Sequence, residues 1–222
     1  MESKEYFLID ICGTLFRSNT TYDFMHFFFK DEKWFITLSR CRKNKYITFL
    51  NAQIQRLFHV DFMRRFLISH LAGYSKEELK KMATMFYDDY LSNVKNEAVF
   101  DIIEQKRKEG KSLVIVSATL DCISLIVSQK LNIAQQYSSV LKYDVDGICL
   151  GEFEEDLLGV KLKKIKSCGI LPKYGGIITD NYSDIDLIEE SDCPYLVQYE
   201  NIKNKWDQIM GDKLNKSEYV FI

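Results

Sequence analysis

The sequence predicts an α/β fold built on a mainly parallel sheet, and three observations carry that prediction. Short apolar runs end abruptly in polar residues: Tyr6 to Ile9 before Asp10, Leu113 to Val116 before Ser117, and Gly176 to Ile178 before Thr179 and Asp180. Such runs read as short strands buried in a sheet. From Asn96 onward these strands alternate with segments of helical periodicity, the pattern of repeated βα units in a three-layer core. The chain of 222 residues is long enough for one sizeable core plus an inserted subdomain.

The elements follow in order. The first strand stops at Asp10 and turns through Gly13. A stretch without strand signal runs from about residue 21 to 93, with apolar residues at helical intervals. Within it, Ser75 and Glu78 form a capping-box pattern, followed by Leu79, Met82, Phe86 and Tyr90 on one face. Gly73 is expected to end the preceding helix, whose buried face would carry Phe62, Phe66 and Leu71. Val99, Ile102 and Ile103 mark a helix ending near Gly110, and the strand before Ser117 comes next. Ile123, Ile126, Val127 and Leu131 mark another helix. Residues 140–150 read as a hairpin around the Asp146-Gly147 turn dipeptide. A helix around Lys161 to Lys166 leads to the strand before Asp180. A last strand, Tyr195 to Tyr199, and a helix around Ile202 to Met210 complete the pattern.

Composition narrows the class. Hydrophobic content of 46% and charged content of 28% are ordinary for a globular protein. The formal charge of −2, without a block of basic residues, argues against a nucleic-acid partner. Six cysteines at positions 12, 41, 122, 149, 168 and 193 show no Cys-x-x-Cys spacing. With no secretory signal at the start, they read as reduced thiols of a cytoplasmic protein. The aromatic stretch Tyr22 to Phe35 is broken by six charged or histidine residues, so no stable membrane insertion is expected. Oligomeric state is not legible.

A carboxylate at the end of a buried strand, in the crevice beyond the carboxyl edge of the sheet, either grips a cation or attacks an electrophile. Asp10-Ile-Cys12-Gly13-Thr14-Leu15 resembles the first motif of the haloacid dehalogenase superfamily, usually Asp-x-Asp-Gly-Thr-Leu. Ser117 closes a strand as the second motif does. Lys161 follows Gly159 as the third-motif lysine does, with Lys163, Lys164 and Lys166 as neighbouring alternatives. Thr179-Asp180 with Asp184 resembles the fourth motif, Thr179 standing where Gly is usual. The order and spacing of all four agree over residues 1–16 and about 97–200.

The resemblance implies a three-layer Rossmannoid core, residues 1–16 and 97–222, with a helical-bundle cap over residues 17–96 like that of phosphoserine-phosphatase-like members. It implies Asp10 as nucleophile and Ser117 and Lys161 on the phosphoryl group. It also implies Mg²⁺ held by Asp10, the Cys12 carbonyl and Asp180, with Asp184 on the metal or its water shell. Cys12 stands where most of the family's phosphatases carry the acid/base Asp. Loss of that help typically costs about 10²–10⁴-fold in rate. The expected activity is therefore a slow Mg²⁺-dependent phosphohydrolase acting on a small phosphorylated metabolite through an aspartyl phosphate. The alternative is a catalytically impaired member that binds a phosphorylated ligand or partner without turnover. His26, His59 and His70 have no carboxylate or cysteine at metal-ligand spacing and read as packing or surface residues. Asp186 reads as a surface helix residue. Phe27 to Phe29 read as core of the helical insertion or as part of an apolar pocket.

Overall fold

The computed structural model describes residues 5–58, 61–170, 174–200, 206 and 217–222. Among these, one sheet contains β1 (Tyr6–Ile9), β2 (Ser112–Leu120), β3 (Gln135–Tyr143), β4 (Cys149–Glu155), β5 (Gly176–Thr179), β6 (Pro194–Gln198) and β7 (Glu218–Phe221). Their order is β4-β3-β2-β1-β5-β6-β7, and every pairing is parallel except β3 with β4. β1 is the centre. The chain runs outward from it to β2 and β3, then returns to β5 on its other side. That reversal opens a crevice at the carboxyl end of β1, the usual binding place in an open α/β sheet.

The two-residue period of β1 divides the core. Phe7 and Ile9 join one buried cluster with Ile115, Ile178 and Val197, covered by α6 (Glu97–Lys108) and α7 (Asp121–Lys130). Leu8 joins the opposite cluster with Val114, Val116, Ile177 and Leu196, covered by α8 (Lys161–Ser167), α9 (Ile185–Glu189) and Trp206. Three layers result, as the βα alternation predicts. Burying each such aliphatic or aromatic side chain stabilises the fold by roughly 1.5–3 kcal/mol.

Between β1 and α6 lie α1 (Thr20–Phe29), α2 (Lys33–Lys43), α3 (Lys45–Phe58), α4 (Phe62–Ser69) and α5 (Lys76–Asp89). Ser75 caps α5 as its spacing predicts: its hydroxyl accepts from the Glu78 N–H at 3.2 Å, and Glu78 accepts from the Ser75 N–H at 2.8 Å. The loop into α5 is tied to β4, with Gly73 N–H donating to the Cys149 carbonyl at 2.9 Å and Cys149 N–H to Tyr74 at 2.8 Å.

Three expectations need correction: the buried face of α4, the last strand, and the end of β2, which runs through Ser117 to Leu120 rather than closing there. α4 does not bury Phe62 and Phe66, which are exposed; it buries Arg64, Leu67 and Ile68, with Leu71 just beyond it. Arg64 turns the helix, because its guanidinium is held inside by Asp156 at 2.6 Å and by Ser139 Oγ at 3.1 Å. Phe27, Phe28 and Phe29 belong to the core of the insertion, Phe27 and Phe28 packing edge to face at 4.9 Å. The sheet also continues past Tyr195–Tyr199 into β7, a strand of four residues. The expected helix at 202–210 lies outside the described residues apart from Trp206, and so does His59. His70 stacks on Trp34 at 3.7 Å, a packing role.

Phe86 anchors the insertion. Its ring meets Phe24 edge to face at 5.5 Å and stacks on Tyr90 at 5.2 Å. Phe86→Ala should therefore cost about 3–5 kcal/mol in urea unfolding. Phe49→Ala, at an exposed position, should stay within about 0.5 kcal/mol. Equal costs would contradict this packing.

Candidate active site

Asp10 follows β1 directly, and its N–H donates to the Ile178 carbonyl at 3.1 Å, so the pairing with β5 fixes its backbone. Ile9 pairs with Ile115 and Ile178, which sets Ser117 and Asp180 just beyond the same sheet edge. Residues far apart in sequence thus converge because β1 and β5 end together and their pairing with the longer β2 stops at Ile115, just before Ser117.

The turn after Asp10 needs a glycine. Gly13 has φ +73°, and a Cβ there would lie 2.0 Å from Asp180 Oδ2. Thr14 then joins the two carboxylates. Its hydroxyl lies 3.2 Å from Asp10 Oδ2 and 3.0 Å from Asp180 Oδ1, and it accepts from the Asp180 N–H at 2.9 Å. Tyr199 donates to the Gly13 carbonyl at 2.8 Å, holding the turn from outside.

Lys161 opens α8 and points into this edge. Its Nζ donates to Asp10 Oδ1 at 2.8 Å and to Asp184 Oδ2 at 2.7 Å, and it is 3% exposed. Burial alone would lower its pKa, yet the charges of Asp10 and Asp184 outweigh that and hold it above the ordinary lysine value. The neighbouring lysines are engaged elsewhere or face water: Lys164 pairs with Glu155, Lys166 with Glu190 at 3.1 Å, and Lys163 is exposed. Asp184 also accepts from Thr179 Oγ1 at 2.8 Å. Thr179, in the place usually held by Gly, thereby braces the ion pair.

The carboxylates outnumber the local cation. Withdrawal from water, followed by the charge of Asp10, pushes Asp180 up to about 7. Burial likewise raises Asp184, against the pull of Lys161. Cys12 is raised to about 12 by burial first and then by the charges of Asp10 and Asp180. Its thiol stays protonated at neutral pH and lies 3.4 Å from the Ser18 carbonyl, to which it donates. Ser117 is fully buried, where the β2–β3 register slips between Val116 and Leu120, and its Oγ accepts from the Thr119 N–H at 3.3 Å. Local register irregularities commonly re-aim side chains beside active sites.

A cavity of 590 Å³ opens above this edge, with Asp10, Cys12, Ser117, Lys161 and Asp180 along it and the inserted helices contributing Thr48, Asn51 and Arg64. Asp184 sits behind Lys161, and Asp186 is exposed as expected. The structure therefore gathers Asp10, Cys12, Ser117, Lys161, Asp180 and Asp184 in one place. Thr14 as bridge and Arg64 as inward-facing cavity wall were not read from the sequence. Gly13-Thr14 was visible, but Thr14 meets Asp180 across 166 positions. Arg64 carried no distinguishing signal among the basic residues.

The haloacid dehalogenase-like hydrolase family model matches residues 7–189, most of the chain and all six residues above. The protein belongs to this family. Among solved structures, a protein of unknown function from Bordetella pertussis Tohama I superposes with a TM-score of 0.75 at 16% identity, covering 97% of this chain and 99% of that one. A phosphoserine phosphohydrolase-like protein from Francisella tularensis gives 0.57 at 15% identity, with 98% and 94% covered. A phosphoserine phosphatase solved as a phospho-aspartyl intermediate analogue gives 0.59 at 18% identity, with 88% and 87% covered. These likenesses establish a shared fold within the family. No curated protein matches the sequence significantly.

The raised Asp180 makes a prediction in chelator. In the unfolded chain this carboxyl ionises near 3.8 and in the native state near 7. Between those values the native state binds the proton more tightly, so its contribution to stability falls as pH rises. The melting temperature of wild type should drop relative to Asp180→Asn over that window. Parallel pH profiles would contradict the placement.

Proposed function

We propose that the protein is a Mg²⁺-dependent phosphomonoesterase that works through an aspartyl phosphate on Asp10. The observation that carries this reading is Lys161 Nζ lodged between Asp10 and Asp184 at the floor of the cavity. The buried ammonium pairs directly with the carboxylate that would attack and adds positive charge where a phosphoryl group would arrive. Phosphoryl transfer is largely positioning and charge neutralisation, and the floor residues supply both.

In the first half-reaction an Asp10 carboxylate oxygen attacks phosphorus, forming the acyl phosphate as the bond to the leaving alkoxide breaks. Ser117 Oγ donates to a phosphoryl oxygen, and Lys161 neutralises charge beside it. In the second, water attacks that phosphorus and releases phosphate, returning Asp10. The donor set suits a hard cation. No three His, Cys, Asp or Glu side chains converge as a cation site among the described residues. Mg²⁺, however, takes one or two carboxylates and keeps waters. Asp10, Asp180 and the Cys12 carbonyl would hold it, with Asp184 behind them, and it would supply charge neutralisation between carboxylate and phosphate.

Cys12 sets the pace. A thiol raised to about 12 is neutral at physiological pH and cannot accept a proton from water. Hydrolysis of the aspartyl phosphate is then the handicapped half, and good leaving groups favour the first half. The phosphoserine phosphatase captured as a phospho-aspartyl analogue shares the fold and supports this course. The cavity volume suits a small phosphorylated metabolite.

Release of phosphate from p-nitrophenyl phosphate tests the reading. Wild type should turn over slowly with Mg²⁺ and not at all in chelator, and Asp10→Asn should be inactive while keeping its fold. Activity in Asp10→Asn within tenfold of wild type would refute the nucleophile. Cys12→Asp should raise turnover by something approaching the ~10²-fold lower bound for general base help. Wild type that binds inorganic phosphate but turns over nothing, even as Cys12→Asp, would establish the ligand-binding reading that the neutral thiol favours.

A further inference from the structure

The α2–α3 hairpin is amphipathic in the wrong sense for a water-facing element. On α3, the polar Thr48 and Asn51 line the cavity, while Tyr46 is 87% exposed, Phe49 65% and Leu50 61%. An ordinary surface helix turns its apolar stripe inward. Ile36 on α2 and Phe62 on α4 are also exposed, and Asn51 bonds Asp61 at 3.0 Å, which sets the start of α4 beside α3. Large apolar side chains exposed together on one side of a helix mark an interaction surface.

Charge says what covers it. From residue 33 to 58 the sequence holds six basic residues and no Asp or Glu, in a chain whose net charge is −2. Lys33, Arg40, Lys43 and Lys45 are exposed. Arg42 stacks over the Tyr22 ring at 3.7 Å and lines the cavity. On α2, Ile36, Arg40 and Lys43 follow helical spacing along one side. Asp31 and Glu32 precede the hairpin, and Asp61 is occupied as the cap of α4, accepting from the Arg64 N–H at 3.0 Å.

We infer that this hairpin docks on an anionic lipid surface, the exposed Tyr46, Phe49 and Leu50 entering the interface while Lys33, Arg40, Lys43 and Lys45 face the headgroups. Aromatic and aliphatic side chains beside basic ones are the chemistry of interfacial helices. Among the described residues no helix is long and apolar enough to cross a membrane, so the attachment is peripheral. A second copy of the chain fits this face poorly. A two-fold contact sets the same patch against itself, opposing Arg40, Lys43 and Lys45 with their own copies. Arg42, Thr48 and Asn51 line the cavity from the other sides of the same two helices, so the docking face and the cavity are separate surfaces of the hairpin.

Co-sedimentation with vesicles tests this without any turnover, so its failure leaves the catalytic reading standing. Wild type should bind equimolar phosphatidylglycerol–phosphatidylcholine vesicles, bind phosphatidylcholine alone at least tenfold more weakly, and release as salt rises. Each basic residue near such a surface contributes roughly fivefold in affinity. The Lys43→Glu, Lys45→Glu double variant should therefore lose at least about 25-fold. The Tyr46→Ser, Phe49→Ser, Leu50→Ser triple variant should lose binding while melting like wild type. Equal binding to both vesicle types, no binding to either, or a wild-type dimer that the triple variant converts to monomer would each overturn the inference.

Discussion

The site depends on a single ammonium. Lys161 Nζ lies within 2.8 Å of Asp10 and 2.7 Å of Asp184, and all three side chains are almost wholly withdrawn from water. Burying two carboxylates at one sheet edge is costly unless a cation joins them, and removing one partner of a buried pair typically costs about 3–5 kcal/mol. The position of Lys161 in turn depends on α8 beginning at that residue, with Ile165 one turn later fixed in the core on the second face of the sheet. Fold and chemistry are therefore coupled through one side chain.

The second constraint is the lack of room beside Asp10. Gly13 brings the turn against Asp180, and Thr14 spans the two carboxylates. Cys12 is confined in the same turn, its thiol directed to the Ser18 carbonyl. Its backbone carbonyl is present whatever the side chain is, so under the proposed function the substitution would leave the metal ligand in place and remove only the proton-transfer group. Aspartyl-phosphate formation and its hydrolysis make unequal demands on that proton, and only the second needs a base strong enough to activate water.

Much of this was legible in the sequence because the signals are local. β1, β5 and the first half of β2 are buried on both faces, so each appears as a short apolar run; the carboxylate after it marks the sheet edge at Asp10 and Asp180, whereas β2 runs on through Ser117 to Leu120. The cap of α5 needs only Ser75 and Glu78. The missed features are products of distant contacts. α4 turns Phe62 and Phe66 outward because Arg64 is held by Asp156, 92 positions away. β7 is a four-residue strand whose alternation is too short to register, and it exists by pairing with β6. Lys161 could not be separated from Lys163 and Lys164 by spacing alone; helical phase places the first inside and the second in water.

The central claim is that Asp10 carries the phosphoryl group. Wild type mixed with p-nitrophenyl phosphate and Mg²⁺, quenched in acid and reduced with borohydride, tests it at the residue itself. Borohydride converts an acyl phosphate to the alcohol, so peptide mass analysis should find homoserine in place of Asp10. Turnover without modification at Asp10, or homoserine at another aspartate, would contradict the account.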